Sequence, residues 1–296
     1  VAAQGIDGVD GGGSATPQIV TTLEELTQAA GDDIPRVIVV SGRITTSAFG
    51  VSVGSNKTIV GIDEEARICG GLRIANESNI IINNLNIQGT WPYYGVADCV
   101  EIKNSHHVWL NHLSIWNSTD GNIDITMGSD YVTVSWCKLW YTNAAKKNHP
   151  HRLSCLVGSG TGHDDTDMDR LRVTYHHNWF ADALKERMPR VMYGRAHIYN
   201  NYYSSQDNSY CIGADCYASI LVENNSFDHV NNPHQFSYDT GFPAGIVARG
   251  NLYAATGGKR ESGQHSDNSE VVLFEQAPYD YWLNEAADVA EIVTGY

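Results

Sequence analysis

The sequence predicts an all-β chain, a single-domain right-handed parallel β-helix spanning residues 1–296, and three observations lead there. A strand-length phrase recurs: Asn79-Ile-Ile-Ile-Asn-Asn-Leu-Asn-Ile87, Val108-Trp-Leu-Asn-His-Leu-Ser-Ile115, Val132-Thr-Val-Ser-Trp-Cys-Lys-Leu139, Val173-Thr-Tyr-His-His-Asn-Trp-Phe180, Ala196-His-Ile-Tyr-Asn-Asn-Tyr-Tyr203, Ile220-Leu-Val-Glu-Asn-Asn-Ser-Phe227 and Ile246-Val-Ala-Arg-Gly-Asn-Leu-Tyr253. Each copy has apolar residues at alternate positions, then a polar pair, then another large apolar residue, at an interval of roughly 23 to 28 residues, which is a solenoid period. No helix-sized segment fits between most copies, so each coil is built of strands and turns. Finally, Asn178, Asn201, Asn225 and Asn251 hold the same place in four copies. Rungs about 4.8 Å apart stack them into a ladder whose amides bond each other and the turn backbone.

Composition narrows the setting. A solenoid absorbs 296 residues without splitting into separate cores, and no linker, low-complexity tract or membrane-length apolar run interrupts it. The expectation is a soluble monomer. The sequence begins at Val1 without a basic, apolar leader, which suits a signal peptide already removed or none at all. Six cysteines in a glycine- and tyrosine-rich, lysine-poor chain favour a secreted, oxidising location. Of the fifteen possible pairings, Cys211 with Cys216 and Cys137 with Cys155 each bracket a turn or an excursion; the alternative is reduced core cysteines. A net charge of −15 excludes a broad phosphate-binding face and hence nucleic acid. It also repels a polyanionic substrate, which then needs a local cationic site or a bridging cation.

The charge map offers both. A second set of segments registers between the repeats: Val100-Glu-Ile102, Ile123-Asp-Ile125, Leu153-Ser-Cys155, Pro189-Arg-Val191 and the stretch from Tyr210 to Ile212. If Ile123 and Ile125 point into the coil, alternation turns Asp124 outward, with Glu101 outside on the rung before. Asp98 precedes its strand, and Asp120 and Asp124 flank the Gly121-Asn122 turn, so three carboxylates converge on one external spot. Hard oxygen donors without Cys or His suit Ca²⁺; the plainer reading is a turn and a cap. One or two rungs later come Lys146, Lys147, Arg152, Lys185, Arg187, Arg190 and Arg195. Acids and bases thus face each other along a groove, although a solvated surface charge is the simpler account of Lys185 and Arg195 singly. His106-His107 and His176-His177 are adjacent strand residues pointing to opposite sides, which favours packing over zinc. Gly11-Gly12-Gly13 lacks the strand and the Lys of a phosphate loop and reads as a turn.

These residues carry a family resemblance. Ser105-His-His-Val-Trp-Leu-Asn-His112, Asp120-Gly-Asn-Ile-Asp124, Tyr131-Val-Thr-Val-Ser-Trp136, Thr174-Tyr-His-His-Asn178, Glu186-Arg-Met-Pro-Arg190 and His197-Ile-Tyr-Asn-Asn201 resemble the pectate lyases of polysaccharide lyase family 1. The likeness runs from the opening Gly-rich segment and Lys57-Thr-Ile-Val-Gly61 to Pro278-Tyr-Asp-Tyr281. It implies a secreted, Ca²⁺-dependent enzyme that cleaves α-1,4-linked polygalacturonate by β-elimination, leaving 4,5-unsaturated oligogalacturonides. By the same resemblance Asp98, Asp120 and Asp124 take the calcium positions, Arg187 the catalytic base, and Arg190 a substrate-contacting role. A second cationic role falls to Lys146, Lys147 or Arg152, with Arg152 best placed along its strand. Many relatives carry an arginine where this chain has Met192, which puts one substrate-carboxylate contact in doubt.

The chemistry explains why a cation belongs there. The proton at C5 is weakly acidic beside a charged uronate, and a cation on that carboxylate stabilises the enolate-like intermediate. Arg187 is an unusual base, because free guanidinium has a pKa above about 12. A hydrolase would instead need paired carboxylates, one a raised-pKa acid, which makes polygalacturonase the rival enzyme. A calcium-independent pectin lyase would not need three aspartates. A catalytically silent, polysaccharide-binding β-helix would use Trp91, Tyr93, Tyr94 and Trp116 as stacking platforms.

Overall fold

The computed structural model describes residues 2–5, 8–47, 49–92, 97–237, 241–265 and 271–295. The alternating apolar residues of the repeat point inward and stack coil upon coil, forming a right-handed parallel β-helix. One column runs Ile38, Ile59, Ile82, Leu110, Val134, Tyr175, Ile198 and Val222 in register, every member fully buried. Each coil covers the apolar face of the one before, so the core is a continuous rod.

Eight strands form the smaller sheet in chain order: Val51–Ser52, Leu72–Ala75, Val100–Lys103, Gly121–Thr126, Leu153–Val157, Arg190–Met192, Ile212–Asp215 and His234–Phe236. The other 18 strands make one hydrogen-bonded set bent over two faces. Ser78–Gln88 and His106–Trp116 run through the bend; His106–Trp116 pairs with Asp130–Ser135 before it and Lys138–Trp140 after it. At the bend Asn84, His112, Trp136, His177, Asn200 and Asn224 take left-handed φ values between 47° and 54°. This corner allows short-turn chirality at some backbone cost, which asparagine meets most easily.

The asparagine ladder expected from the repeat stands directly after that corner. Asn178 donates from its backbone N and its Nδ2 to Asn201 Oδ1 at 2.9 Å each. Asn201 repeats the pattern on Asn225, and Asn225 on Asn251. Cys137 N closes the upper end on Asn178 Oδ1. Inside, Phe180, Tyr203, Phe227 and Tyr253 stack with centroid spacings of 4.8, 4.4 and 5.4 Å. These are the large apolar residues that end each phrase.

Among the described residues four helices depart from the strand-and-turn expectation, two of them the short Asp164–Asp167 and Val289–Thr294. An amphipathic helix, Leu23–Ala30, starts at a Thr22–Glu25 capping box and buries Leu26, Ala29 and Ala30 against the first coils. A second, Asn143–Asn148, is capped by Thr142 and occupies the insertion before the Leu153–Val157 strand.

Both expected disulfides are corrected: all six cysteines are buried thiols. Cys211 and Cys216 bracket the extended Ile212–Asp215 strand, which holds their Cα atoms about 16 Å apart, far beyond bridging distance. Cys137 donates to Ser135 O, 3.2 Å away, at the corner, whereas Cys155 lies inside a strand of the other sheet beside Ser154 Oγ. Burial pushes the Cys137 thiol up to about 12, and Cys155 also upward, so both stay protonated.

Candidate active site

The smaller sheet turns a register row of outward residues to the surface: Arg73, Glu101, Asp124, Leu156, Arg190, Gly213 and Gln235. Alternation accounts for this, since Val100, Ile102, Ile123, Ile125 and Val157 point inward and are fully buried. Asp124 therefore sits beside Glu101 and two rungs, about 10 Å, from Arg190. Glu101 is paired with Arg73 at 2.5 Å and with Lys103.

Asp98 and Asp124 meet over Gly121. Gly121 N donates to Asp98 Oδ1 at 2.8 Å, and a Cβ on Gly121 would stand 2.9 Å from Asp124 Oδ1 and 3.0 Å from Asp98 Oδ1. Only glycine leaves room for both carboxylates. Burial, with Asp120 and Glu101 nearby, raises Asp98 to about 7 even though the Gly121 hydrogen bond opposes it. Asp124 is raised well above the carboxylate range by burial and by Asp98, with Arg187 acting in the opposite sense. Asp120 adds repulsion to both; its backbone carbonyl is held by Ser118 Oγ and Tyr141 OH.

Asp124 Oδ1 is buried without a hydrogen-bond partner. An orphaned carboxylate oxygen among like charges is costly, and a hard divalent cation would relieve it. The donor set, oxygen only, fits Ca²⁺. Among the described residues, no three His, Cys, Asp or Glu side chains are already closed around a metal-sized point.

The guanidiniums lie beyond Asp124. Arg187 has φ +64°, its carbonyl accepts Cys155 N at 2.6 Å, and its Nε is buried with no hydrogen-bond partner. Cys155 is the register neighbour of Ile123, so Arg187 stands close enough to Asp124 to act on its charge. Arg190 differs. Burial is the largest influence and disfavours its charge, but the 2.5 Å bond from Nη2 to fully buried Asp215, together with the attraction of Tyr210, Asp215 and Cys216, outweighs it and raises its pKa.

The remaining expected residues are less uniform. Arg152 leads into the Leu153–Val157 strand; its Nη1 donates to Ala183 O at 3.0 Å, and its Nε is buried and unpartnered. Lys146 is on the short helix and pairs with Asp207 at 2.9 Å, while Lys147 is exposed on that helix. Trp116 is packed between Trp140 and Arg67, and Trp91 stacks on His149, so both serve packing. Tyr93 and Tyr94 lie outside the described residues. His106 with His107, and His176 with His177, contact each other and neighbouring rings. Sequence reasoning missed Arg73, Lys103 and Asp215 as partners of the outward row. Asp215 was legible in principle, as an outward-strand acid one coil after Arg190.

The pectate lyase family model matches residues 2–249. A pectate trisaccharide-lyase of Thermotoga maritima is 36% identical over 206 residues, covering 67% of this chain and 53% of that protein; the chain thus spans about half the length of that relative. Pectate lyase A of Emericella nidulans is 31% identical over 284 residues, 93% of this chain and 79% of that protein. A crystal structure of a Bacillus sp. N165 pectate lyase in complex with trigalacturonate superposes with a TM-score of 0.81 at 24% identity, over 99% of this chain and 96% of that one. Sequence match over most of the chain, the same solenoid, and the acid–guanidinium row lead to one conclusion: the chain belongs to the pectate lyase family.

Proposed function

We propose that this protein is a secreted, monomeric, single-domain Ca²⁺-dependent pectate lyase that cleaves α-1,4-linked polygalacturonate by β-elimination, releasing 4,5-unsaturated oligogalacturonides. The observation that carries the reading is Asp124 in one outward row with Arg190 and beside Arg187, with the Asp98 carboxylate crowded against it over Gly121. Asp98, Asp120 and Asp124 would hold the cation. Bound Ca²⁺ supplies positive charge that neutralises a uronate carboxylate and eases loss of the adjacent proton. It also lets a chain of net charge −15 hold a polyanion.

The two guanidiniums divide the remaining work. Arg190, fixed by Asp215, binds and orients a uronate carboxylate bidentately. Arg187, whose Nε carries no partner, takes the C5 proton, a step that requires it as the neutral guanidine, because the guanidinium has no acceptor. The C5–H electron pair becomes the C4=C5 bond while the C4–O bond breaks, and the glycosidic oxygen leaves with its electrons and takes a proton from solvent water. Arg152 stands at the head of the neighbouring strand and serves the second cationic role better than Lys146, which is engaged by Asp207.

The test is product formation from demethylated polygalacturonate. Near-ultraviolet absorbance from a C4=C5 bond conjugated to the carboxylate should appear with added Ca²⁺ and vanish with chelator. New reducing ends without that absorbance would mean hydrolysis and end the proposal, and equal rates on fully esterified pectin in chelator would mean a pectin lyase.

A further inference from the structure

A cavity of about 840 Å³ opens past the C-terminal ends of the Arg190–Met192 and Ile212–Asp215 strands of the smaller sheet, and neither Asp98 nor Asp124 lines it. Tyr193, in its wall, follows the Arg190–Met192 strand directly, which places the cavity about 10 Å along the chain from Arg190. Its sheet-side wall carries Arg172 and Arg195, register neighbours on adjacent strands. Like charges set opposite each other in a sheet cost stability. Arg172 is neutralised by Asp130, which accepts from its Nε at 2.9 Å and pairs with its Nη2. Arg195 and Arg170 have no acidic side chain within ion-pair distance among the described residues.

The loop-side wall brings Asp164 and Asp169, which also form no ion pair among the described residues. Cations and acids therefore line one cavity without collapsing onto each other. Between them runs an aromatic surface, Tyr193 stacked on Tyr217 at 6.2 Å and Tyr217 against Phe242 at 5.5 Å. A smaller cavity of about 260 Å³ shares Arg170 and Arg172 and extends the trough toward His106.

Guanidiniums match carboxylates, aspartates accept hydroxyl donors, and tyrosine rings offer apolar faces with a polar edge. A ligand that presents all three complements at once is an acidic oligosaccharide. We propose that this cavity is a second, cation-independent binding site for oligouronate, separate from the acid–guanidinium row and able to hold a polymer beside the groove. That the uronate is galacturonate rests on the lyase reading; the preference for an acidic sugar does not.

The test is isothermal titration of trigalacturonate into the full chain in chelator, where the Asp98–Asp124 site contributes no cation-mediated binding. Binding should be measurable, should weaken at least tenfold in an Arg170→Ala/Arg195→Ala protein, and should stay within twofold in Asp124→Asn. Both arginines are exposed, so the double variant is expected to fold; its unchanged calcium-dependent turnover of trigalacturonate would confirm that. Fully methyl-esterified trigalacturonate should bind at least tenfold more weakly. No binding in chelator, equal binding by the double variant, or equal binding of the ester overturns the site. A protein that yields no unsaturated product yet binds through these arginines keeps this site and loses the lyase reading. One that cleaves polygalacturonate but binds no trigalacturonate in chelator does the reverse.

Discussion

Replacing Asp98 by Asn should stabilise the protein in chelator and abolish its response to calcium. Burial and neighbouring acids hold the Asp98 carboxyl at about 7, against about 3.9 in an unfolded chain. Three pKa units correspond to about 4 kcal/mol as a ceiling, and screening at a partly exposed site brings the expected gain at pH 8 nearer about 2 kcal/mol. The amide retains the hydrogen bond, since Asn Oδ1 can accept from Gly121 N as Asp98 Oδ1 does now. Because the folded-state pKa lies above the unfolded one, the parent binds more protons when folded. Its stability in chelator should therefore fall as pH rises from about 4 to about 7, while the variant loses that slope. Calcium at a hundredfold excess over its Kd should add about 2.7 kcal/mol to the parent and little to the variant. Urea titrations at pH 5 and pH 8, with calcium and with chelator, measure all four quantities. A variant less stable than the parent in chelator at pH 8, or one that gains full calcium stabilisation, would refute the reasoning.

Arg187→Ala should lower the elimination rate at least about a hundredfold, with calcium-induced stabilisation preserved; a rate within threefold of the parent would remove Arg187 from the chemistry. Asn201→Leu should cost about 2 to 4 kcal/mol in urea unfolding, because it removes the acceptor of Asn178 N and the side-chain donor to the Tyr175 carbonyl in a fully buried ladder; a loss below 1 kcal/mol would mean the ladder is incidental. Lys57 is fully buried, with its Nζ donating to the carbonyls of Ile34 and Ser55 at 2.8 Å and of Asp32 at 2.5 Å. Lys57→Met should destabilise by about 2 to 4 kcal/mol by orphaning those carbonyls. Thiol titration without reductant should count six reactive cysteines in denaturant and almost none in the native protein, whereas two or four in denaturant would restore a disulfide.

The repeat period, the inward column and the asparagine ladder were legible in the residues alone. A solenoid contacts only its neighbouring coils, so a periodic pattern in the chain is already a pattern in space. The same logic placed Asp124 and Glu101 outside and adjacent, because alternation in a strand is a local property. Depth and angle were not local. That Asp98 folds over Gly121 to crowd Asp124, that Arg190 is claimed by Asp215 while Arg187 Nε is left without a partner, and that Lys146 turns to Asp207 depend on turns and insertions of unequal length. The cysteine pairs failed for the same reason: brackets in sequence are not neighbours when the bracketed segment is an extended strand. Sequence determined which residues share a face; tertiary structure decided which of them touch, because side-chain reach and burial are set by the coils above and below.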